Sequence, residues 1–126
     1  MKRDVEMANL LSAVERLDEV LREPKSDIVR DSAVKRFELC TDLAWKLVKT
    51  HLAERHGIVS SSPKSCIREA FRQGLIDYDE GWLKLIDLRN EAVHIYNVAI
   101  AEKVYAQLPD ALARYRLLAD TIRRDT

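Results

Sequence analysis

The chain has 126 residues, 47 % of them hydrophobic and 33 % charged, and its 21 basic and 21 acidic side chains cancel to a formal net charge of zero. That size suits one domain with a buried core, so residues 1–126 are read as a single helical domain. Zero net charge argues against broad attachment to a nucleic-acid backbone, which needs a surplus of Lys and Arg, although it leaves room for a local basic cleft. Cys40 and Cys66 fall in helix-like apolar patterns without CxxC spacing, and read as buried free thiols of a reducing compartment. The N-terminal segment Met1-Lys2-Arg3-Asp4-Val5-Glu6 has no apolar signal core, and no run approaches about 18 apolar residues. The expectation is a soluble cytoplasmic protein with no membrane segment.

Helical periodicity runs through most of the chain. Met7, Leu10, Leu11, Val14, Leu17 and Leu21 step by threes and fours and predict a first helix from about Lys2 to Arg22. Glu23-Pro24-Lys25-Ser26 interrupts it. A long second helix is predicted from about Asp27 to Arg55, with Val34, Phe37, Cys40, Ala44, Leu47, Val48 and His51 inward, and Gly57 as a left-handed cap. Ser62 is a good N-cap and Pro63 suits a first helical position, so a short third helix runs from Pro63 to Gln73 and stops at Gly74. Asp77-Tyr78-Asp79-Glu80 resembles a cap with Glu three residues later and opens a fourth helix ending near Tyr96. Asn97 caps a fifth, from Val98 to about Arg123, which Pro109 is expected to kink or split. The predicted fold is all-α, an up-and-down antiparallel bundle of about five helices.

The stretch Arg89-Asn90-Glu91-Ala92-Val93-His94-Ile95-Tyr96 stands out. On a helical wheel of about 100° per residue, Leu85, Ile86, Leu88, Ala92, Val93, Ile95, Ala99 and Ile100 share one apolar arc. Trp82, Arg89 and Tyr96 form a row at its centre, where a charge is costly unless paired or used. Asp87, Asn90, Glu91 and His94 lie on the polar side, so Arg89 and His94 of one chain are about 140° apart. Two readings follow: Arg89 and His94 meet in a cleft built from two copies of the helix, or Arg89 pairs with an acid such as Glu38 or Asp42.

Three segments carry a family resemblance. Val34-Lys35-Arg36-Phe37-Glu38-Leu39-Cys40-Thr41-Asp42-Leu43-Ala44-Trp45-Lys46 resembles the RFE…(E/D)LxWK signature of the nucleotidyltransferase substrate-binding proteins, small helical partners of minimal nucleotidyltransferases. Ser62-Pro63-Lys64 with Ile67-Arg68-Glu69-Ala70-Phe71 resembles their SPKxxIREAF segment, and Gly74-Leu75-Ile76, Trp82 and Arg89 through Tyr96 continue the match. The resemblance spans about Val5 to Leu118. It implies the HEPN superfamily and a fold similar to the C-terminal helical domain of kanamycin nucleotidyltransferase. It implies a homodimer through the fourth helix and a partner nucleotidyltransferase, in a toxin–antitoxin pair or a split enzyme. In the toxin version the HEPN protein is a metal-independent RNase, silenced when its partner attaches AMP to the motif tyrosine, here Tyr96.

Metal-free RNA cleavage needs a base for the 2′-OH, a cation for the phosphorane and an acid for the leaving oxygen. His94 can be base or acid, and Arg89 can grip phosphate. Asn90, four residues before His94, can orient it or donate to phosphate. Tyr96 and Lys46 are binding or modification candidates. The alternative is a non-catalytic substrate-binding or docking subunit using the same residues, and a third reading is purely structural. No cofactor is implied. His51 and His56 have no acid or Cys at ligand spacing, so no metal site is expected. Glu38, Asp42 and Lys46 read as solvated ion pairs along one helix. Arg114, Arg116, Arg123 and Arg124 make the last helix locally basic.

Overall fold

The thirty-residue helix α2 (Asp27–His56) contacts each of the other four helices, α1 (Lys2–Leu21), α3 (Pro63–Arg72), α4 (Glu80–His94) and α5 (Val98–Arg124), in a computed structural model describing residues 2–77, 80–94 and 97–125. The all-α bundle expected from the periodicity is therefore the observed architecture. Among the described residues no helix is long and apolar enough to cross a membrane. Tyr78 and Asp79 of the expected α4 cap, and Ile95 and Tyr96 at its expected end, lie outside the described residues.

Local chemistry sets the helix ends. Ser26 caps α2, its side chain accepting from Val29 N–H at 3.1 Å. Gly57 ends α2 in the left-handed region (φ 68°), where a side chain would be strained, and its N–H returns to the Leu52 carbonyl. Ser62 and Ser65 bond reciprocally ahead of α3, with Pro63 in the first turn. Asn97 caps α5 by accepting from Ile100 N–H at 2.9 Å.

Helix α5 runs unbroken through Pro109, so the expected split does not occur. Pro109 is exposed, whereas Leu108, Ala111 and Leu112 beside it are buried. Core packing on the inner face outweighs the backbone bond that proline cannot make. The core centres on Tyr115, buried completely, whose hydroxyl meets Thr41 Oγ1 at 2.7 Å. Trp82 of α4 packs edge-on to Tyr115 with ring centroids 5.9 Å apart. This trio ties α2, α4 and α5 together at the level of Arg89's partner, Asp42.

Two surface expectations are corrected. Val93 and Ala99, placed in the apolar arc of the wheel, are exposed: α4 buries a narrower stripe of Trp82, Leu85, Ile86, Leu88 and Ala92, and Ala99 lies beyond its end, in the first turn of α5. The basic C-terminal helix is largely charge-matched within the fold: Arg116 reaches Asp18 and Glu15, Arg114 pairs with Asp110, and Arg123 with Asp120.

Candidate functional site

Arg89 faces Asp42. Its Nη2 donates to Asp42 Oδ2 at 2.9 Å, and Nε lies 2.9 Å from Oδ1. The Nε contact is electrostatic rather than a linear hydrogen bond, because this buried N–H does not point at the oxygen. Both side chains keep somewhat over a quarter of their surface exposed, 28 % and 29 %. Of the two acids considered from the sequence, the structure selects Asp42. Glu38, one turn earlier and buried, pairs with Lys35 at 3.1 Å instead. The run Glu38, Asp42, Lys46 is thus not a chain of solvated pairs along α2, because Asp42 turns across the bundle to α4.

The pair sits in a cleft of about 140 Å³ lined by Thr41, Asp42, Trp45, Lys46, Pro63, Ile86, Arg89 and Asn90. That is room for about five waters at roughly 30 Å³ each, enough for a phosphate-sized group with the rest of a nucleotide outside. Three segments that are far apart in sequence converge here. Lys64 extends the joint by pairing with Asp87 of α4 at 2.6 Å.

The structure brings Arg89, Asn90 and Lys46 to this cleft. Asn90 Oδ1 accepts from Arg89 Nη1 at 3.2 Å, so Asn90 serves Arg89 rather than His94. His94 is exposed in the last turn of α4 and does not line the cleft. Tyr96 lies outside the described residues. Thr41 and Pro63 are cleft residues that no spacing argument on α4 could reach.

A second polar cluster closes the far end of the bundle. His51 Nε2 and His56 Nε2 lie 2.8 Å and 2.7 Å from the same Asp125 oxygen, and Arg3 Nη1 lies 3.0 Å from His51 Nδ1. His51 is fully buried, which pushes its imidazole below the ordinary histidine value, with Asp125 opposing the shift. Bonds from His51 and then His56 hold the Asp125 carboxyl below its usual range. No acid stands at ligand spacing from these histidines in the sequence, which argued against a metal site; Asp125, at the C-cap of α5, reaches both across the fold.

Architecture and cleft together define the chain as a small helical bundle with a polar cleft where α2, α3 and α4 meet. Residues 5–122 match the family described as nucleotidyltransferase substrate binding protein like, and the chain belongs to that family. It is 32 % identical over 105 residues to a Haemophilus influenzae protein described as "Probable ribonuclease HepT", covering 77 % of this chain and 72 % of the relative. A crystal structure of a Thermus thermophilus protein superposes with a TM-score of 0.85 at 32 % identity, covering 90 % of this chain and 98 % of the other. A second solved structure, from Haemophilus influenzae, is described as revealing the fold of a substrate binding domain of a nucleotidyltransferase. It matches with a TM-score of 0.69 at 26 % identity over 96 % of both chains.

Proposed function

We propose that the chain is the HEPN component of a two-gene nucleotidyltransferase toxin–antitoxin system, a single-domain, metal-independent RNase acting through Arg89 and His94. The observation that carries this reading is that Arg89 is braced at a phosphate-sized cleft by Asp42 and Asn90, while His94 is exposed on another face of the same helix. On one helix the two diverge by about 140°, which does not favour closing them around one phosphate within a single copy. A homodimer through α4 can close them, and Asn90, Val93 and His94 form its exposed surface there.

In this reading His94 takes the 2′-OH proton of RNA, and the freed oxygen bonds to phosphorus. The P–O5′ bond breaks, leaving a 2′,3′-cyclic phosphate. The departing O5′ receives a proton from the same His94, whose imidazolium formed in the first step. Arg89 stabilises the charged phosphorane with its planar fork, and Lys46 adds a second positive charge at the cleft. The partner nucleotidyltransferase silences the toxin by joining the Tyr96 hydroxyl oxygen to the α-phosphorus of ATP, releasing pyrophosphate. The relative described as a ribonuclease supports this reading.

The second reading is a non-catalytic substrate-binding or docking subunit for the nucleotidyltransferase. Two observations favour it. Arg89's charge is already matched by Asp42, and one solved neighbour is described as a nucleotidyltransferase's substrate binding domain. The decisive experiment incubates purified protein with RNA in EDTA. Cleavage by wild type and its loss in His94→Ala support the RNase. RNA left intact by both, with no growth arrest on expression, leaves the docking subunit, for which co-purification with the nucleotidyltransferase encoded beside it is the positive test.

A further inference from the structure

We propose that His51, His56 and Asp125 form a binding site for a divalent cation of the zinc class, structural in role and separate from the Arg89 cleft. The three donor atoms, two imidazole Nε2 and one carboxylate oxygen, all lie within 4.8 Å of one another. Tetrahedral zinc with bonds of about 2.0–2.2 Å sets its ligands roughly 3.4 Å apart. The two nitrogens are 2.8 Å and 2.7 Å from the oxygen, so each needs to part from it by only about 0.6–0.7 Å to admit the ion. Asp125 lies at the end of α5, where such a movement disturbs little packing.

The donor set selects the ion. Two nitrogens and one oxygen suit zinc and its neighbours, whereas calcium and magnesium want oxygen ligands. Three protein ligands leave the fourth position for water. His51 is fully buried, while His56 and Asp125 are 19 % and 28 % exposed, so the ion has an entry path and a solvent-facing fourth position. Along α2, His51 is nine residues beyond Asp42, about 14 Å at 1.5 Å per residue. A cation here would tie the end of α5 to α2 without touching the proposed reaction, which needs no metal.

Arg3 provides the signature that separates a cation site from a simple His–Asp clasp. A guanidinium only donates, so Arg3 makes Nδ1 of His51 the acceptor and leaves the ring proton on Nε2, directed at Asp125. A cation on Nε2 moves that single proton to Nδ1, which then meets Arg3 donor to donor. Cation and Arg3 therefore compete, and an acceptor in place of Arg3 should favour the ion.

The test titrates zinc chloride into the full chain, stripped with chelator, by calorimetry. His94→Ala serves as the background to remove exposed-histidine binding. One zinc per chain is expected, with affinity lowered more than tenfold in His56→Gln and in Asp125→Asn, both partly exposed positions that spare the buried His51. Arg3→Gln should raise affinity severalfold, because its amide oxygen can accept from Nδ1–H. Absence of zinc binding, or affinity unchanged in His56→Gln and Asp125→Asn, overturns the site. Weaker binding in Arg3→Gln overturns the proposed competition and, with it, the coordination through Nε2 of His51.

Discussion

Arg89 on α4 and Asp42 on α2 form a two-point contact, Nη2 to Oδ2 and Nε to Oδ1, each at 2.9 Å. Asp42 both neutralises the guanidinium and fixes its plane, leaving Nη1 to Asn90. Removing the acid leaves a partly buried cation beside a neutral group. Because the pair is more than a quarter exposed, its contribution to stability is small, about 1 kcal/mol. Asp42→Asn should therefore lower Tm by only a few degrees while lowering kcat/KM for RNA more than Lys46→Ala does. Thermal melts with cleavage rates check this; an unchanged Tm and unchanged rate would show that Asp42 does not position Arg89.

Thr41, next to Asp42, carries the opposite balance. Its hydroxyl pairs with Tyr115 inside the core, where water cannot substitute. Thr41→Val strands the Tyr115 hydroxyl and should cost about 1–3 kcal/mol. Tyr115→Phe strands the smaller Thr41 hydroxyl and should cost less. The double variant should be more stable than the sum of the two losses implies, because no orphaned hydroxyl remains. Urea denaturation of the four proteins tests the cycle, and strict additivity would mean that the bond contributes nothing.

The helices were legible because their signals are local. Caps at Ser62 and Asn97, the αL cap at Gly57 and the three-four stepping of Leu10, Val14 and Leu17 all act within a few residues. The wheel also separated Arg89 from His94 correctly, since that angle depends only on helix geometry. What spacing could not supply was the partner across the bundle. Glu38 and Asp42 are one turn apart on α2, and only the packing of α4 chooses between them. His51 and His56 are five residues apart, about 140° on an ideal helix, and do not resemble a ligand pair. Asp125, 69 residues beyond His56, brings both onto one carboxylate oxygen.

Cys40 is fully buried, and desolvation pushes its thiol up to about 12. The reactive species is the thiolate, so the native protein at pH 8 should show no fast reaction of Cys40 with a disulfide reagent. In denaturant both Cys40 and Cys66 should react at once. Peptide mapping after a short native pulse identifies the labelled residue; rapid modification of Cys40 would mean that the core around Phe37 and Ala44 opens readily.

Glu102 of α5 joins the start of α2 to the bundle. Lys25, at 2.6 Å, and then Arg30, at 3.1 Å, hold its carboxyl below the ordinary value of 4.5. The unfolded chain therefore binds the proton more tightly than the folded one. The stabilisation is present above pH 4.5 and is lost as pH falls through that value toward the folded one. Glu102→Gln removes this dependence. Its stability deficit relative to wild type, from urea midpoints, should be constant near neutrality and shrink on acidification, and a deficit that widened in acid would contradict the sign.

The two faces of α4 make the origin of the proposed active site testable by mixing. If Arg89 of one copy works with His94 of the other, Arg89→Ala and His94→Ala are each inactive alone. A mixed dimer of the two retains one intact site, built from the His94 of the first variant and the Arg89 of the second, and one doubly defective site. Random exchange places half of the chains in mixed dimers with one site of two intact, so activity should return to about a quarter of wild type. If Arg89 and His94 of the same chain act together, every site in the mixture has lost one of them and no activity returns. The comparison uses two folded, partly exposed positions and one RNA assay. Because Arg89 is anchored to Asp42 while His94 is exposed on another face, the in-trans outcome is the expected one. A mixture as inactive as its components would require one chain to supply both groups, against the roughly 140° that separates them on the helix.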